Sequence, residues 1–197
     1  MSSHHIVRDE QEPAVLVTSA GACLHWLEDL LAWSPLVAVT SSALPEVARR
    51  GIKIDIAICQ AAHAAATRRL LAHQHPVAVY TCQQQALQTG LDLLLARGVR
   101  AINLLADVGP DYLPRFTELA LKVSLVVYGP GYRAFYRSQG HFSKWLAAGA
   151  RLSVIPADLT VDASNLHPAT DKGNWTASSS SMVAVAAPRP FWVAEYR

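Results

Sequence analysis

Charge is scarce in this chain. Asp, Glu, Lys and Arg make up 16% of its 197 residues, and the formal net charge is only +2. There is no basic stripe, so nucleic acid is not an expected partner. Cysteine is scarce too. Cys23, Cys59 and Cys82 are scattered, form no Cys-x-x-Cys pair and are odd in number, so they read as free thiols in a reducing compartment. No apolar run approaches the roughly 20 residues that span a bilayer. Residues 1–12 are polar and lack the apolar core of a secretory signal. These absences make a cytoplasmic protein, with no membrane partner, the expectation. Neither a Gly-x-Gly-x-x-Gly fingerprint nor a Walker A phosphate loop occurs.

What is present is apolar. Hydrophobic residues reach 51% and the mean hydropathy is +0.18. A chain of this length buries a full core without staples. The apolar surplus predicts that part of the surface is covered by a partner.

After residues 1–13, expected to be extended or disordered, strands and helices alternate. Apolar, β-branched runs at 14–18, 36–39, 54–58, 77–80, 101–105 and 123–128 read as strands. Between them, Leu24, Leu27, Leu30 and Leu31 fall at helical spacing before Pro35. Pro45 suits a first helical turn, and Gly51 a C-cap. Residues 61–72, 83–96 and 113–121 read as further helices. Strand–helix alternation implies a mainly parallel sheet covered on both faces, a Rossmann-like α/β domain over residues 14–129. The pattern changes at Gly129-Pro130-Gly131. Beyond it, short β-like runs at 132–136, 150–155, 182–186 and 191–196 predict a small antiparallel β-sandwich over residues 130–197. Residues 141–148 fit a strand or a helical turn equally.

Ligands of open parallel sheets bind outside the carboxyl ends of the strands. Those ends carry Thr18 and Ser19, then Thr40, Ser41 and Ser42, then Gln60, then Asp107. Small hydroxyl residues there cap helices, and they also admit an anion to free helix N–H groups. Asp107 and Asp111 flank a Gly-Pro turn; they are the weak catalytic candidates and, with Asp55, the metal candidates. His73 and His75 form a His-x-His without a nearby third ligand, and a loop is the better reading. Cys59 and His63 suggest a thiol–imidazole pair whose facing the sequence leaves open. In the back half, Trp175, Ser178 and Ser179 lie in a polar stretch. Trp175 there stacks on a flat heterocycle, plugs the sandwich or fills a subunit contact, and all three of these residues are ligand-binding candidates.

Several segments carry a resemblance when read in order: Leu36-Val37-Ala38-Val39, then Arg49-Arg50-Gly51-Ile52-Lys53-Ile54-Asp55, Ala96-Arg97-Gly98-Val99, Leu152-Ser153-Val154-Ile155-Pro156, and the ending from Asn174-Trp175 to Phe191-Trp192-Val193. From about Ala14 to Arg197 the layout resembles the thiamine pyrophosphokinases. The resemblance implies a homodimer that moves pyrophosphate from ATP to thiamine with magnesium, an α/β domain holding nucleotide and a β-sandwich helping to hold thiamine. The family's chemical residues do not carry over. Its aspartate after the second strand falls on Thr40. Its Gly-Asp-x-Asp-Ser loop falls on Cys59-Gln60-Ala61-Ala62-His63. Its Thr-Asp-x-x-Lys segment falls near Gln84 to Thr89, and its Arg-x-Asp-His loop near Asp111 to Pro114. Asp55 alone sits where the family has an acid.

Phosphoryl transfer depends on carboxylates that hold magnesium against phosphates. The expectation is therefore a thiamine pyrophosphokinase-like protein, impaired in catalysis, that binds thiamine, its phosphates or a nucleotide. One alternative is a dimeric scaffold without a ligand. Another is an active pyrophosphokinase, using Mg2+ and ATP, with a metal site rebuilt from Asp55, Asp107 and Asp111.

Overall fold

A computed structural model describes residues 12–197. The expected N-terminal extension, 1–13, falls almost wholly outside them. The chain divides into two compact units, Met1–Asp107 and Val108–Arg197.

The first unit holds strands β1 (Ala14–Val17), β2 (Val37–Thr40), β3 (Ile56–Gln60), β4 (Ala78–Cys82) and β5 (Ala101–Leu105). They pair in parallel in the order β5-β1-β2-β3-β4. Every residue of β1 and β2 is buried, which is why these strands read as unbroken apolar runs. Helices α1 (Leu27–Leu31), α2 (Leu44–Arg49), α3 (Ala64–Leu70) and α4 (Ala86–Ala96) connect them. A 3-10 turn, Ala22–Trp26, precedes α1, and another, Ala61–His63, precedes α3. Pro45 lies in the first turn of α2 as expected. Gly51 and Gly98 take φ of +70° and +80° just past α2 and α4, the left-handed conformation that lets a chain leave a helix cheaply. The helix expected over 83–96 starts later, at Ala86, because Gln85 has non-helical dihedrals.

The second unit opens with a 3-10 helix, Pro110–Phe116, and α5 (Thr117–Ala120). A single α-helix over 113–121 was expected. Pro114 has no N–H to donate, and the α-helical stretch begins only after it. Strands β6 (Ser124–Gly129), β7 (Tyr132–Arg137), β8 (His141–Leu146), β9 (Arg151–Ile155), β10 (Asp162–Ser164), β11 (Leu166–Pro168), β12 (Asn174–Ala177), β13 (Ser181–Ala186) and β14 (Phe191–Tyr196) follow. One run of antiparallel neighbours is β11-β12-β9-β14-β7-β6, and a second, separate sheet is β10-β13-β8. Phe142, Leu146, Val183 and Val185 from the small sheet form one core with Leu152, Val154, Phe191 and Val193 from the other.

Two differences from the sequence reading have clear causes. The units divide at Asp107, ahead of the compositional change at Gly129. Strand β6 pairs antiparallel with β7, and the indole N–H of Trp192 in β14 donates to Thr117 Oγ1 at 3.1 Å, so residues 110–129 belong with the β-rich unit. The polar stretch around Trp175 is strand β12, held by pairing to β9 and β11 rather than by its own composition.

Candidate functional site

In the first unit, β1 lies between β5 and β2, so the chain order reverses direction beside β1. The crevice at such a reversal is where open α/β sheets hold ligands. It is built here from the carboxyl ends of β1 and β5. The Thr18 hydroxyl donates to Leu105 O at 2.9 Å, and the Asp107 N–H donates to Ser19 Oγ at 2.7 Å. These bonds tie the two strand ends together. Asp107 Oδ1 then accepts the Cys23 N–H at 2.9 Å, satisfying a free donor at the start of the 3-10 turn. A Cβ on Gly21 would stand 1.8 Å from Asp107 Oδ2, so the carboxylate occupies space that only glycine leaves open. The Cys23 thiol is buried and pushed up to about 12, first by loss of water; Ser19 opposes the shift and Asp107 adds to it.

Beside this crevice, β2 ends in a second hydroxyl network. Thr40 is buried, 3% exposed, and its hydroxyl lies 3.2 Å from Thr18 O and 2.9 Å from Ser42 Oγ. Ser42 donates to Thr18 O at 2.7 Å. The Ser41 N–H donates to Ile58 O at 2.8 Å and so extends the ladder. Gln60 is exposed at the end of β3. The structure thus brings together Thr18, Ser19, Thr40, Ser41, Ser42 and Asp107 on one rim, with Gln60 next along the sheet. Gly21 and Cys23 complete it. No local pattern in the sequence marks Gly21 or the Cys23–Asp107 bond, whose partners lie far apart in the chain.

The rebuilt metal site does not form. Asp55 precedes β3, at the amino ends of the strands, whereas Asp107 follows β5 at the carboxyl ends. A five-residue strand puts such positions on the order of 15 Å apart. Asp55 is engaged there by the Val37 N–H at 2.9 Å and by Lys53 at 3.2 Å. Asp111 is exposed in the 3-10 helix of the second unit. Among the described residues no three His, Cys, Asp or Glu side chains gather as metal ligands. The residues present do not fit a bound magnesium ion. Cys59 is buried while His63 is exposed, so the thiol–imidazole idea gains no support, and His73 and His75 are exposed in the loop before β4.

In the second unit, Trp175 packs against the shared core while its indole Nε1 is buried without a partner. It lines a cleft of about 550 Å³ with Asp158, Asp171 and Lys172. Ser178 and Ser179 follow β12 in an exposed turn; the Ser178 N–H donates to Asn165 O at 3.1 Å.

The first unit is a parallel α/β sheet with a crevice at the point of strand reversal, and the second is built mainly of antiparallel strands. That combination is found among solved structures of thiamine pyrophosphokinases. The Bacillus subtilis enzyme superimposes with a TM-score of 0.65 at 13% identity, covering 93% of this chain and 98% of its own. The Geobacillus thermodenitrificans protein gives 0.68 at 12% identity, covering 93% and 97%. The yeast enzyme gives 0.60 at 10% identity, covering 98% and 88%. The chain has the thiamine pyrophosphokinase fold. No protein-family profile and no curated protein sequence matches it.

Proposed function

We propose that this chain is a thiamine pyrophosphokinase-like protein that binds a ligand of that family, thiamine, a thiamine phosphate or a nucleotide, without efficient pyrophosphoryl transfer. One observation carries this reading. The rim of the crevice is built from neutral hydroxyls, and its one carboxylate, Asp107, already gives one oxygen to the Cys23 N–H. Removing one key electrostatic group from an active site costs about 10²–10³ in rate, and here several of the family's acids are replaced. The reading keeps a Rossmann-like first domain, a β-sandwich second domain and a homodimer. Free Cys23, Cys59 and Cys82 support a reducing, cytoplasmic setting.

The test is calorimetric titration of the purified protein with thiamine, thiamine diphosphate and Mg-ATP, each alone, together with an assay of AMP release from ATP and thiamine. Saturable binding of at least one compound with no AMP above background is expected. AMP release at a rate typical of an enzyme would overturn the impaired-catalysis reading. Binding of none at millimolar concentration would overturn the ligand and favour the scaffold.

A further inference from the structure

Three cations converge on one aromatic ring in the second unit. Arg133, Phe135 and Arg137 alternate along β7, so their side chains share a face of the sheet. The Arg133 guanidinium carbon lies 5.8 Å from the Phe135 ring centroid, that of Arg137 5.4 Å, and Lys144 Nζ, from β8, 5.9 Å. One carboxylate answers them. Glu195, in β14 opposite Arg133, takes Arg133 Nε at 3.1 Å and Lys144 at 2.6 Å on Oε2, and Arg133 Nη2 at 3.2 Å on Oε1. Both of its oxygens are thereby engaged.

Arg137 is left over. Its Nε is buried with no hydrogen-bond partner, and no ion pair to it is found among the described residues. Its guanidinium lies 5.3 Å from the Phe142 centroid as well. The two rings attract the charge, but they offer no acceptor for five N–H donors. A buried Nε–H without an acceptor is costly, and burial holds the Arg137 pKa below the usual arginine value. Arginine's planar fork matches an oxyanion, and the cluster carries two positive charges beyond its one carboxylate.

We propose that Arg137, with Lys144 and Arg133 beside it, is an anion-binding site that takes the phosphate group of a small ligand. The site lies within the second unit and does not rest on the function proposed above. The phosphate supplies acceptors to the Arg137 fork and balances the excess charge.

The probe is inorganic phosphate, added to the full chain at constant ionic strength with chloride as the balancing anion. The Nε–H resonance of Arg137, assigned through its own backbone by triple-resonance NMR on the isotope-labelled chain, is followed while calorimetry reads the affinity. A saturable shift of that resonance is expected, with binding weakened at least ten-fold in Arg137→Gln and less so in Lys144→Gln. Arg137→Gln removes an unpaired cation, so the fold is expected to persist, and thermal unfolding checks this. A resonance that stays put, or drifts linearly without saturation as with an adventitious ion only, overturns the site. So does an Arg137→Gln variant that binds phosphate as the unaltered chain does. The wild-type resonance alone decides the matter if the variants fail to fold.

Discussion

Asp107 holds Cys23 by its backbone N–H at 2.9 Å, and its other oxygen fills the space above Gly21. The two strand ends, the glycine and the 3-10 turn are thus one mechanical unit. Replacing Gly21 by alanine forces the carboxylate out, and Cys23 loses its acceptor. We expect Gly21→Ala to destabilise the protein by roughly 1–3 kcal/mol in urea unfolding. Adding Asp107→Ala should then cost less than it does in the parent, because the clash is relieved. Simple additivity of the two changes would show that the residues act separately.

An acid placed at the end of β2, where the resemblance puts the family's aspartate, should fail structurally. Thr40 is buried, and its hydroxyl donates toward backbone carbonyl oxygen. An aspartate there sets an anion against the Thr18 carbonyl. A loss of about 1–3 kcal/mol is expected for Thr40→Asp, read as a lower urea midpoint. An unchanged midpoint would mean that the crevice tolerates charge and stands closer to an active site than its hydroxyl network suggests.

Glu195 gives a pH signature. Burial raises its pKa, but the bonds to Arg133 and Lys144 outweigh that and hold the carboxyl below its ordinary 4.5. A carboxyl depressed in the fold adds stability that is full above 4.5 and is lost as the pH falls through the folded value. Glu195→Gln should lower the melting temperature at pH 7, and the gap to the parent should narrow below pH 4.5. A gap independent of pH would assign the loss to packing.

The thiols should separate by burial. Cys82 is half-exposed, whereas Cys23 and Cys59 are buried. A thiol reagent at neutral pH is expected to modify Cys82 first and the other two only on unfolding. Because Cys23 is raised from 9.0 to about 12, the unfolded chain releases this proton first as pH rises. Stability should therefore fall between pH 9 and 12, and less steeply in Cys23→Ala. Rapid modification of Cys23 in the native protein would contradict its burial.

Legibility followed how each element earns its stability. β1 was readable because a parallel strand covered on both faces must be apolar along its length. β8 was not, because Lys144 points inward to Glu195 and interrupts the alternation of buried Phe142 and Leu146 with exposed His141, Ser143 and Trp145. β12 is polar in sequence and is a strand only through its neighbours. At the site, Thr18, Ser19 and Asp107 were visible as strand ends. That Asp107 is occupied by Cys23, and Asp55 by Val37 at the opposite end of the sheet, depends on pairings between distant segments that no local pattern encodes.

Strand β14 lies between β9 and β7, though it is made after both. The second unit therefore lacks a middle strand until residues 191–196 have left the ribosome. All five strands of the first unit, by contrast, precede Asp107. At about 5–20 residues per second, translation leaves an interval of roughly 5–20 s in which the first unit can close while the second still exposes the apolar faces of β7 and β9. Chaperone dependence during synthesis should accordingly concentrate in the second unit, and a ribosome stalled before residue 191 should present a folded α/β unit followed by a protease-sensitive one.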